Sequence, residues 1–463
     1  MHLRPPRFAF VVATSSLAFV VGQLDVTIVN VALPRIATEL SSGIATLQWI
    51  VDAYTLAFAT FMLVAGSLGD RFGSRRGFVV GFGIFGVASL ACGLAPSGAA
   101  LIAARALQGL GAAAMLPNSL ALLNHVFSEQ PDTRGRAIGW WTAAGAVSIA
   151  MGPLIGGLLL NTTGWRSIFF VNLPLCAIGM VFGVRLPETV RHVHKHKLDV
   201  AGQVLAILAL TALTAAVIEA RPLGFAHPFV WGGFVLALLT GAAFVWIQSR
   251  APSRATEPTV PLDLFRNKTF NAAVIFGTVV NFTYYGTLFV LTLYLQRVLG
   301  YTPLHAGLAF LPLTAGLILS NVASGRVMAA CGPRLPMLLG VSIDALGFLL
   351  LLRAGAESSY ASLFLAFLLI PIGMGLAVPA MTTTVLAAVD KRRSGTASAV
   401  LNAARQAAGA MGVAVFGAFA DGANPHVVSG LHASSLISVV LLVAAGLIVF
   451  SAPKNPKARG PRA

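Results

Sequence analysis

Charge is what this chain has least of. Asp, Glu, Lys and Arg together make up 10% of 463 residues, against ~25% in a soluble domain, so a water-facing globular surface is excluded. Cysteine is scarce too: Cys92, Cys176 and Cys331 stand far apart, which excludes a disulfide framework and any Cys-x-x-Cys spacing. The chain has no Gly-x-x-x-x-Gly-Lys loop, so ATP-driven work within it has no support. It also has no His-Glu-x-x-His and no nucleophile elbow, and no enzyme activity, cofactor or metal is expected. Acids are the rarer charge, with 15 Asp and Glu against 31 Lys and Arg, a net of +16. The basic residues fall in small clusters between apolar runs, not in one patch, so nucleic acid is not an expected partner.

Hydrophobic residues supply 57% of the chain, and they are gathered into runs long enough to cross a bilayer as helices. Runs lie near 8–33, 45–68, 77–95, 98–122, 137–160 and 168–186; a pair follows near 200–219 and 229–247. Six more lie near 270–294, 306–325, 337–353, 361–387, 397–420 and 433–451, making fourteen expected spans. Arg4 and Arg7 before the first run mimic a signal peptide, but the run continues to Leu33 without an Ala-x-Ala site, so it reads as span 1. Only Arg35, Arg166, Arg221, Arg297 and Arg353 fall in segments on one side, and Arg105 and Arg405 fall inside spans. The remaining Lys and Arg lie on the other side, which places both termini in the cytoplasm.

Between spans 2 and 3 stands Gly66-Ser-Leu-Gly69-Asp70-Arg71-Phe-Gly73-Ser-Arg75-Arg76. Gly69 and Gly73 permit a tight turn. Asp70 is expected just ahead of the next helix, where its carboxylate caps free amides. Arg71, Arg75 and Arg76 mark the cytoplasmic side, and a purely topogenic basic loop is the plainer reading. An echo follows span 10, Gly325-Arg-Val-Met-Ala329-Ala-Cys-Gly-Pro-Arg334, with Ala329 where the acid would be. The chain therefore reads as two six-helix bundles, 1–186 and 269–463, with an inserted pair and its linkers at 187–268. Repeats of this kind place a substrate site near the midplane at their interface.

Ionisable groups inside spans are costly, about 2.5–3.5 kcal/mol for Asp at a helix centre, and mark function by default. Span 1 carries Asp25 and Asn30, span 2 carries Asp52, and span 4 carries Arg105 in Arg105-Ala-Leu-Gln-Gly-Leu-Gly111. At ~1.5 Å per residue, Asp25 lies about 12 Å, Asp52 about 9 Å and Arg105 about 10 Å below the outer helix ends. Arg105 thus has two carboxylates at its own depth. Competition between Arg105 and a proton for one of them is a physical basis for proton coupling, with a permanent ion pair as the structural alternative. Asp25 is the first choice as carrier and Asp52 the second.

Span 5 contains Gly145-Ala-Val-Ser-Ile-Ala-Met-Gly152-Pro153-Leu-Ile-Gly156-Gly157. Physically this is a small-residue packing face with a proline that removes one backbone bond. Taken together, these motifs resemble the major facilitator superfamily: the loop Gly66–Arg76 matches its signature between helices 2 and 3 in spacing and residue type. The span 5 glycines look like its antiporter motif, associated with exporters. The motifs in spans 1 and 4, Trp165-Arg166 through Asn172-Leu-Pro174, and the span count resemble its fourteen-helix drug:proton antiporter branch. The likeness covers most of the first half; in the second, Asn402-Ala-Ala-Arg405-Gln406 is the best landmark. It implies an all-α polytopic membrane protein of the major facilitator fold. It further implies proton-coupled export of small amphipathic or cationic compounds across the cytoplasmic (inner) membrane, by a monomer in the lipid bilayer. An uptake symporter and a non-transporting sensor or scaffold are the competing readings; the span 5 motif argues against the first, and the intramembrane acids against the second.

Three lesser features complete the reading. His192, His194 and His196 alternate with Lys195 and Lys197 in a cytoplasmic segment that reads as a solvated basic loop, not a metal site. Phe282, Tyr284 and Tyr285 either line a cavity for a flat substrate or simply pack. Glu219 and Asp344 are left without a role, Asp344 standing as a possible second proton site.

Overall fold

The computed structural model describes residues 8–188, 197–250, 256–257, 260, 262–389 and 394–453. Both extreme termini, the segment with His192, His194 and His196, and Lys391–Arg393 lie outside the described residues. Among the described residues sixteen α-helices run in order, beginning α1 Phe8–Glu39, α2 Ile44–Phe72, α3 Ser74–Gly93, α4 Gly98–Val126, α5 Pro131–Thr162, α6 Ser167–Phe170, α7 Asn172–Gly183, α8 Val200–Leu223 and α9 Pro228–Arg250. They continue as α10 Lys268–Leu293, α11 Pro303–Ala309, α12 Leu311–Cys331, α13 Arg334–Leu351, α14 Tyr360–Ala387, α15 Ser394–Phe419 and α16 Asn424–Ser451. A π-helical turn, Tyr294–Val298, extends α10. Among the described residues the one departure from helix and loop that forms a sheet is a two-residue parallel bridge, Lys197–Leu198 with Thr256–Glu257.

The fold is all-helical, and each expected apolar run becomes a helix or a broken helix. Among the described residues twelve are long and apolar enough to cross a membrane. The two others explain why the count of fourteen is not reached. The sixth run is broken at Val171 into α6 and α7, so only a short apolar helix, Ser167–Gly183, remains. The run that forms α15 is built largely from Ala, Gly and Ser, with Arg405 in its middle, and is not among the twelve.

The chain forms two compact units. The first comprises Met1–Gln203 with Arg254–Glu257 and Pro303–Leu308; the second comprises Val204–Ser253, Pro258–Thr302 and Ala309–Ala463. In the first, Tyr54, Phe58, Phe78, Phe82, Phe85 and Met115 form a buried core. Helices approach to backbone contact where glycine allows it. A Cβ on Gly109 would lie 2.3 Å from the Tyr54 carbonyl oxygen, and one on Gly111 would lie 2.6 Å from the Phe85 nitrogen. These two positions, four and six residues after Arg105, seat α4 against α2 and α3 together.

The second unit repeats this crossing. The turn glycines Gly73 and Gly332 both take positive φ, 102° and 77°, and each donates its N–H to the carbonyl four residues back at 2.8 Å. Gly81 and Gly340 follow their turns by the same interval, and a Cβ on either would lie 2.6 Å from backbone of the facing helix, α4 or α14. Phe85 and Asp344 then occupy matching positions, and a Cβ on Gly373 would lie 2.6 Å from the Asp344 nitrogen. Asp344 is a carboxylate where the first unit has a core phenylalanine.

Candidate functional site

Arg105 and Asp25 meet in the interior of the first unit. Asp25 is fully buried and Arg105 is 1% exposed, and Arg105 Nη1 donates to Asp25 Oδ2 in a close ion pair. The second carboxylate oxygen of Asp25 and the Nε of Arg105 are engaged as well. Gln108 Nε2 and Asn172 Nδ2 donate to Asp25 Oδ1 at 2.8 and 3.0 Å. Arg105 donates from Nη1 to Gln108 Oε1 at 2.7 Å and from Nε to the Ile50 carbonyl at 3.1 Å. Its guanidinium carbon lies 4.3 Å from the centroid of the Tyr54 ring, a cation–π contact. Ser89 accepts from both Gln108 and Asn172, at 2.7 and 3.3 Å. Five helices, α1, α2, α3, α4 and α7, thus hold one ion pair.

Asp52 stands apart from this network. It is fully buried, yet among the described residues neither carboxylate oxygen has a hydrogen-bond partner. The expectation that Arg105 has two carboxylates to choose from is corrected in this structure: it pairs with Asp25, and what α2 offers it is the Ile50 carbonyl, two residues before Asp52. Asn30 is buried and donates to the Val26 carbonyl of its own helix at 2.9 Å. Gln108 and Ser89 were not singled out from sequence, and Asn172 was named only as part of the Trp165–Pro174 motif, without a role at this pair. Gln108 had a signal, since it follows Arg105 by three residues and so shares its helix face.

The span 5 glycines position Asp25. A Cβ on Gly152 would lie 1.9 Å from Thr27 Oγ1, one on Gly145 would lie 2.3 Å from the Phe19 ring, and one on Gly156 would lie 2.8 Å from Ile28 Cγ1. The spacing of these glycines keeps one face of α5 bare, and α1 lies along it with Asp25 two residues before Thr27. Gly157 faces a different segment of the same unit, where its Cβ would lie 2.7 Å from Leu304 Cα. Pro153 is buried within α5.

In the loop after α2, two expectations are corrected. Gly69 makes no turn: it lies inside α2, which runs on through Gly66, Asp70 and Arg71 to Phe72, and its Cβ would lie 1.8 Å from Asn118 Oδ1. Reversal is accomplished by Gly73 alone. Asp70 is therefore in the last turn of α2 and not ahead of α3; its side chain lies outside the described residues. The carboxylate at the start of α3 comes instead from Glu188, after α7. Glu188 Oε1 accepts from the Arg75 backbone N–H at 3.0 Å, and Oε2 lies 3.4 Å from Arg75 Nε and 3.8 Å from Arg76 Nε.

The second unit carries its own buried ionisable groups. Asp344 is 1% exposed, and its Oδ1 has no partner among the described residues. Tyr284 and Tyr285 stand edge to face with ring centroids 5.4 Å apart, and Phe282 packs at 5.1 Å on Phe416. Glu219 is half-buried in α8. Among the described residues no cluster of His, Cys, Asp and Glu suits a metal ion.

The sequence profile of the Major Facilitator Superfamily matches residues 15–413. The chain belongs to that superfamily. This facilitator is 38% identical over 394 residues to the multidrug resistance protein Stp of Mycobacterium tuberculosis, covering 85% of the chain and 72% of the relative. It is 36% identical over 399 residues to the methylenomycin A resistance protein of Streptomyces coelicolor, covering 86% and 83%. It is 36% identical over 413 residues to the drug efflux pump JefA of Mycobacterium tuberculosis, covering 89% and 80%. Among solved structures, a peptide transporter, POT, in complex with sulfate superposes with a TM-score of 0.68 at 16% identity, over 95% of this facilitator and 94% of that chain. A bacterial homolog of the human lysosomal transporter Spinster gives 0.67 at 18% identity, over 97% and 98%. At these identities the two structures speak for the fold alone. The facilitator is a multi-pass membrane transporter of small molecules, and its family is not one of enzymes.

Proposed function

We propose that this chain is a proton-driven antiporter that exports small amphipathic compounds across the cytoplasmic membrane, in the manner of a drug efflux pump. The observation that carries the reading is the Asp25–Arg105 pair, an acid and a base buried side by side within spans. Such a pair is a two-position device. With Asp25 charged, Arg105 is held; a proton arriving on Asp25 removes the charge that holds it and frees Arg105 to move. Asp52 supplies a second carboxylate on the helix whose carbonyl already holds Arg105 Nε, so a released guanidinium has somewhere to go. Proton binding on one side of the membrane and release on the other then follows as the environment of the pair alternates. Three relatives named for drug resistance or efflux support export over uptake.

Fourteen spans, with α6–α7 and α15 crossing alongside the twelve long helices, and both termini cytoplasmic, complete the proposed topology. The proposed division is two six-helix bundles, 1–186 and 269–463, flanking the inserted pair at 187–268. The matched crossings at Gly81 and Gly340 support a repeat of this kind. Gly66–Arg76 acts as the cytoplasmic gating loop, the Gly145–Gly157 stretch as the antiporter motif, and the unit at work is a monomer. Acids within spans favour cations; in the first unit Asp25 is neutralised by Arg105, which leaves Asp52 as the unpaired carboxylate among the described residues. Transport in inverted vesicles tests the whole reading, with lipophilic cations, neutral antibiotics and organic acids assayed with and without a proton gradient. Gradient-dependent uptake of at least one class is expected; uptake indifferent to the gradient for all three overturns it.

A further inference from the structure

In the second unit one internal cation has no ion pair or hydrogen bond among the described residues. Arg405 is the twelfth residue of the 26-residue α15, about 16 Å from the helix start at ~1.5 Å per residue, which is mid-depth in a hydrocarbon layer of ~30 Å. Among the described residues its guanidinium makes no ion pair or hydrogen bond, and its Nε is buried without a partner. Arg105 shows what this chain supplies when it means to satisfy an internal arginine: a carboxylate, an amide oxygen, a backbone carbonyl and an aromatic face. Arg405 has none of the first three. The buried acid of the same unit, Asp344, does not fill the gap: among the described residues its Oδ1 has no partner either, and it forms no ion pair with Arg405.

The seat of Arg405 is built and stiff. Gly409 lies one helical turn further along the same face, and a Cβ there would stand 3.2 Å from Tyr285 Cδ2, so the Tyr285 ring lies over α15 beside Arg405. The two helices are locked at backbone contact, since a Cβ on Gly412 would lie 2.1 Å from the Phe282 carbonyl oxygen and one on Gly286 would lie 2.6 Å from that of Gly412. Tyr284 stands perpendicular to Tyr285 and backs it. This is a guanidinium fork and a phenol hydroxyl on facing helices, a donor-rich set with no anionic acceptor among the described residues. It fits an anion whose oxygens lie in one plane.

We propose that Arg405 and Tyr285 form an anion subsite, and that the compounds this transporter carries include organic carboxylates. The inference rests on the reading of the chain as a small-molecule exporter, and it adds an anionic substrate class to that reading. A phospholipid phosphate is the other source of such chemistry, but headgroups lie at the membrane surface and Arg405 lies at mid-depth. An uncharged or cationic compound would leave the guanidinium as it stands, unpaired in a low dielectric.

Binding separates this proposal from proton coupling, because it needs no gradient. The full chain in nanodiscs of zwitterionic lipid is titrated with 1-naphthoic acid, its methyl ester, and 1-naphthylmethylamine, followed by tryptophan quenching. The acid is expected to bind about tenfold more tightly than the ester, as a charge-assisted pair commands. Arg405→Gln should bring that ratio to about one, Arg405→Lys should keep part of it, and Tyr285→Phe should reduce it by a few fold with the ring still in place. Should Arg405→Gln fail to fold, the Lys and Phe variants carry the comparison. The subsite is overturned if the parent binds ester or amine as well as acid, or if the preference survives Arg405→Gln. It is overturned equally if anionic lipid in the nanodisc abolishes the preference, which would hand Arg405 to a lipid phosphate. An exporter that proves indifferent to the proton gradient, yet keeps the acid preference, loses the coupling reading and retains the subsite.

Discussion

The Glu188 carboxylate accepts the backbone N–H of Arg75 at 3.0 Å, joining residues 113 apart. One side chain after α7 therefore caps α3 and meets the two arginines of its first turn. The cap matters more than the ion pairs. Arg75 and Arg76 are partly exposed, and pairs of that kind contribute little in water. A carboxylate on the free amides of a helix start contributes about 1 kcal/mol, with a further gain from the helix dipole.

Glu188→Ala is accordingly expected to lower stability by about 1–2 kcal/mol, read as a fall in thermal midpoint of the detergent-solubilised protein. Glu188→Gln, which keeps an acceptor but loses the charge, should fall in between. Cysteine labelling near the inner end of α5 should rise in both if this corner also gates the cytoplasmic side. Labelling that stays at the parental level with transport intact would leave Glu188 a helix cap and nothing more.

Gly152→Val tests whether the bare face of α5 exists to hold α1. The nearest atom is Thr27 Oγ1, at 1.9 Å from the position of a Cβ, and the Ile28 backbone nitrogen is next behind the Thr27 side chain at 3.3 Å. Overpacking at such a contact costs about 1–3 kcal/mol, and it pushes on the helix two residues from Asp25. Export should fall by more than the loss of folded protein accounts for. Gly139→Ala, at a position on the same helix with nothing within 4 Å of a Cβ, should be neutral in both assays.

Topology is tested by position. Cysteines at Gly224 and Gly422 should be labelled from outside and cysteines at Arg191 and Arg254 from inside, as the distribution of basic residues requires. Gly224 lies between α8 and α9, so an inside result there would remove the inserted pair from the membrane and with it the count of fourteen.

What could be read from the sequence divides along a physical line. Helices and their ends follow from local apolar composition, and the depth of Asp25 and Arg105 follows from a fixed rise per residue, so their meeting was within reach of arithmetic. Partner choice was not. Ser89 reaches Gln108 where Gly81 and Gly111 let α3 and α4 close to backbone contact, Asn172 reaches Asp25 from α7, which packs on α3 through Gly179 and Gly183, and no spacing along the chain encodes either. Asp70 misled for the same reason. Its position suits a cap only if the turn begins at Gly69, whereas the positive φ of Gly73 carries the whole reversal and extends α2 past Asp70. Arg405 was visible as a charge within a span, but its lack of a partner is a property of packing.

The last prediction concerns the proton. Asp25 and Asp52 are equally buried and differently furnished: Asp25 accepts from Arg105, Gln108 and Asn172, while Asp52 has no partner among the described residues. Adding a proton to Asp25 means breaking a bond from Arg105; adding one to Asp52 breaks nothing. The sequence-based order, Asp25 first and Asp52 second, thus becomes a division of roles, with Asp25 as the site where proton and Arg105 compete and Asp52 as the site that receives one or the other. Asp25→Asn keeps the shape and the Gln108 contact but leaves Arg105 buried without its counter-charge, a loss of about 3–5 kcal/mol where no other acid takes over. A stability loss well below that figure is therefore informative, because it means that Arg105 has moved to Asp52. Asp52→Asn removes no contact, and folding should be unchanged. Substrate-induced proton release from reconstituted vesicles is the measurement: both variants should bind substrate and release no proton, and Asp25→Glu should retain part of the coupling. If both asparagine variants release protons like the parent, the Asp25–Arg105 pair is structural, and the coupling acid must be sought at Asp344 in the second unit.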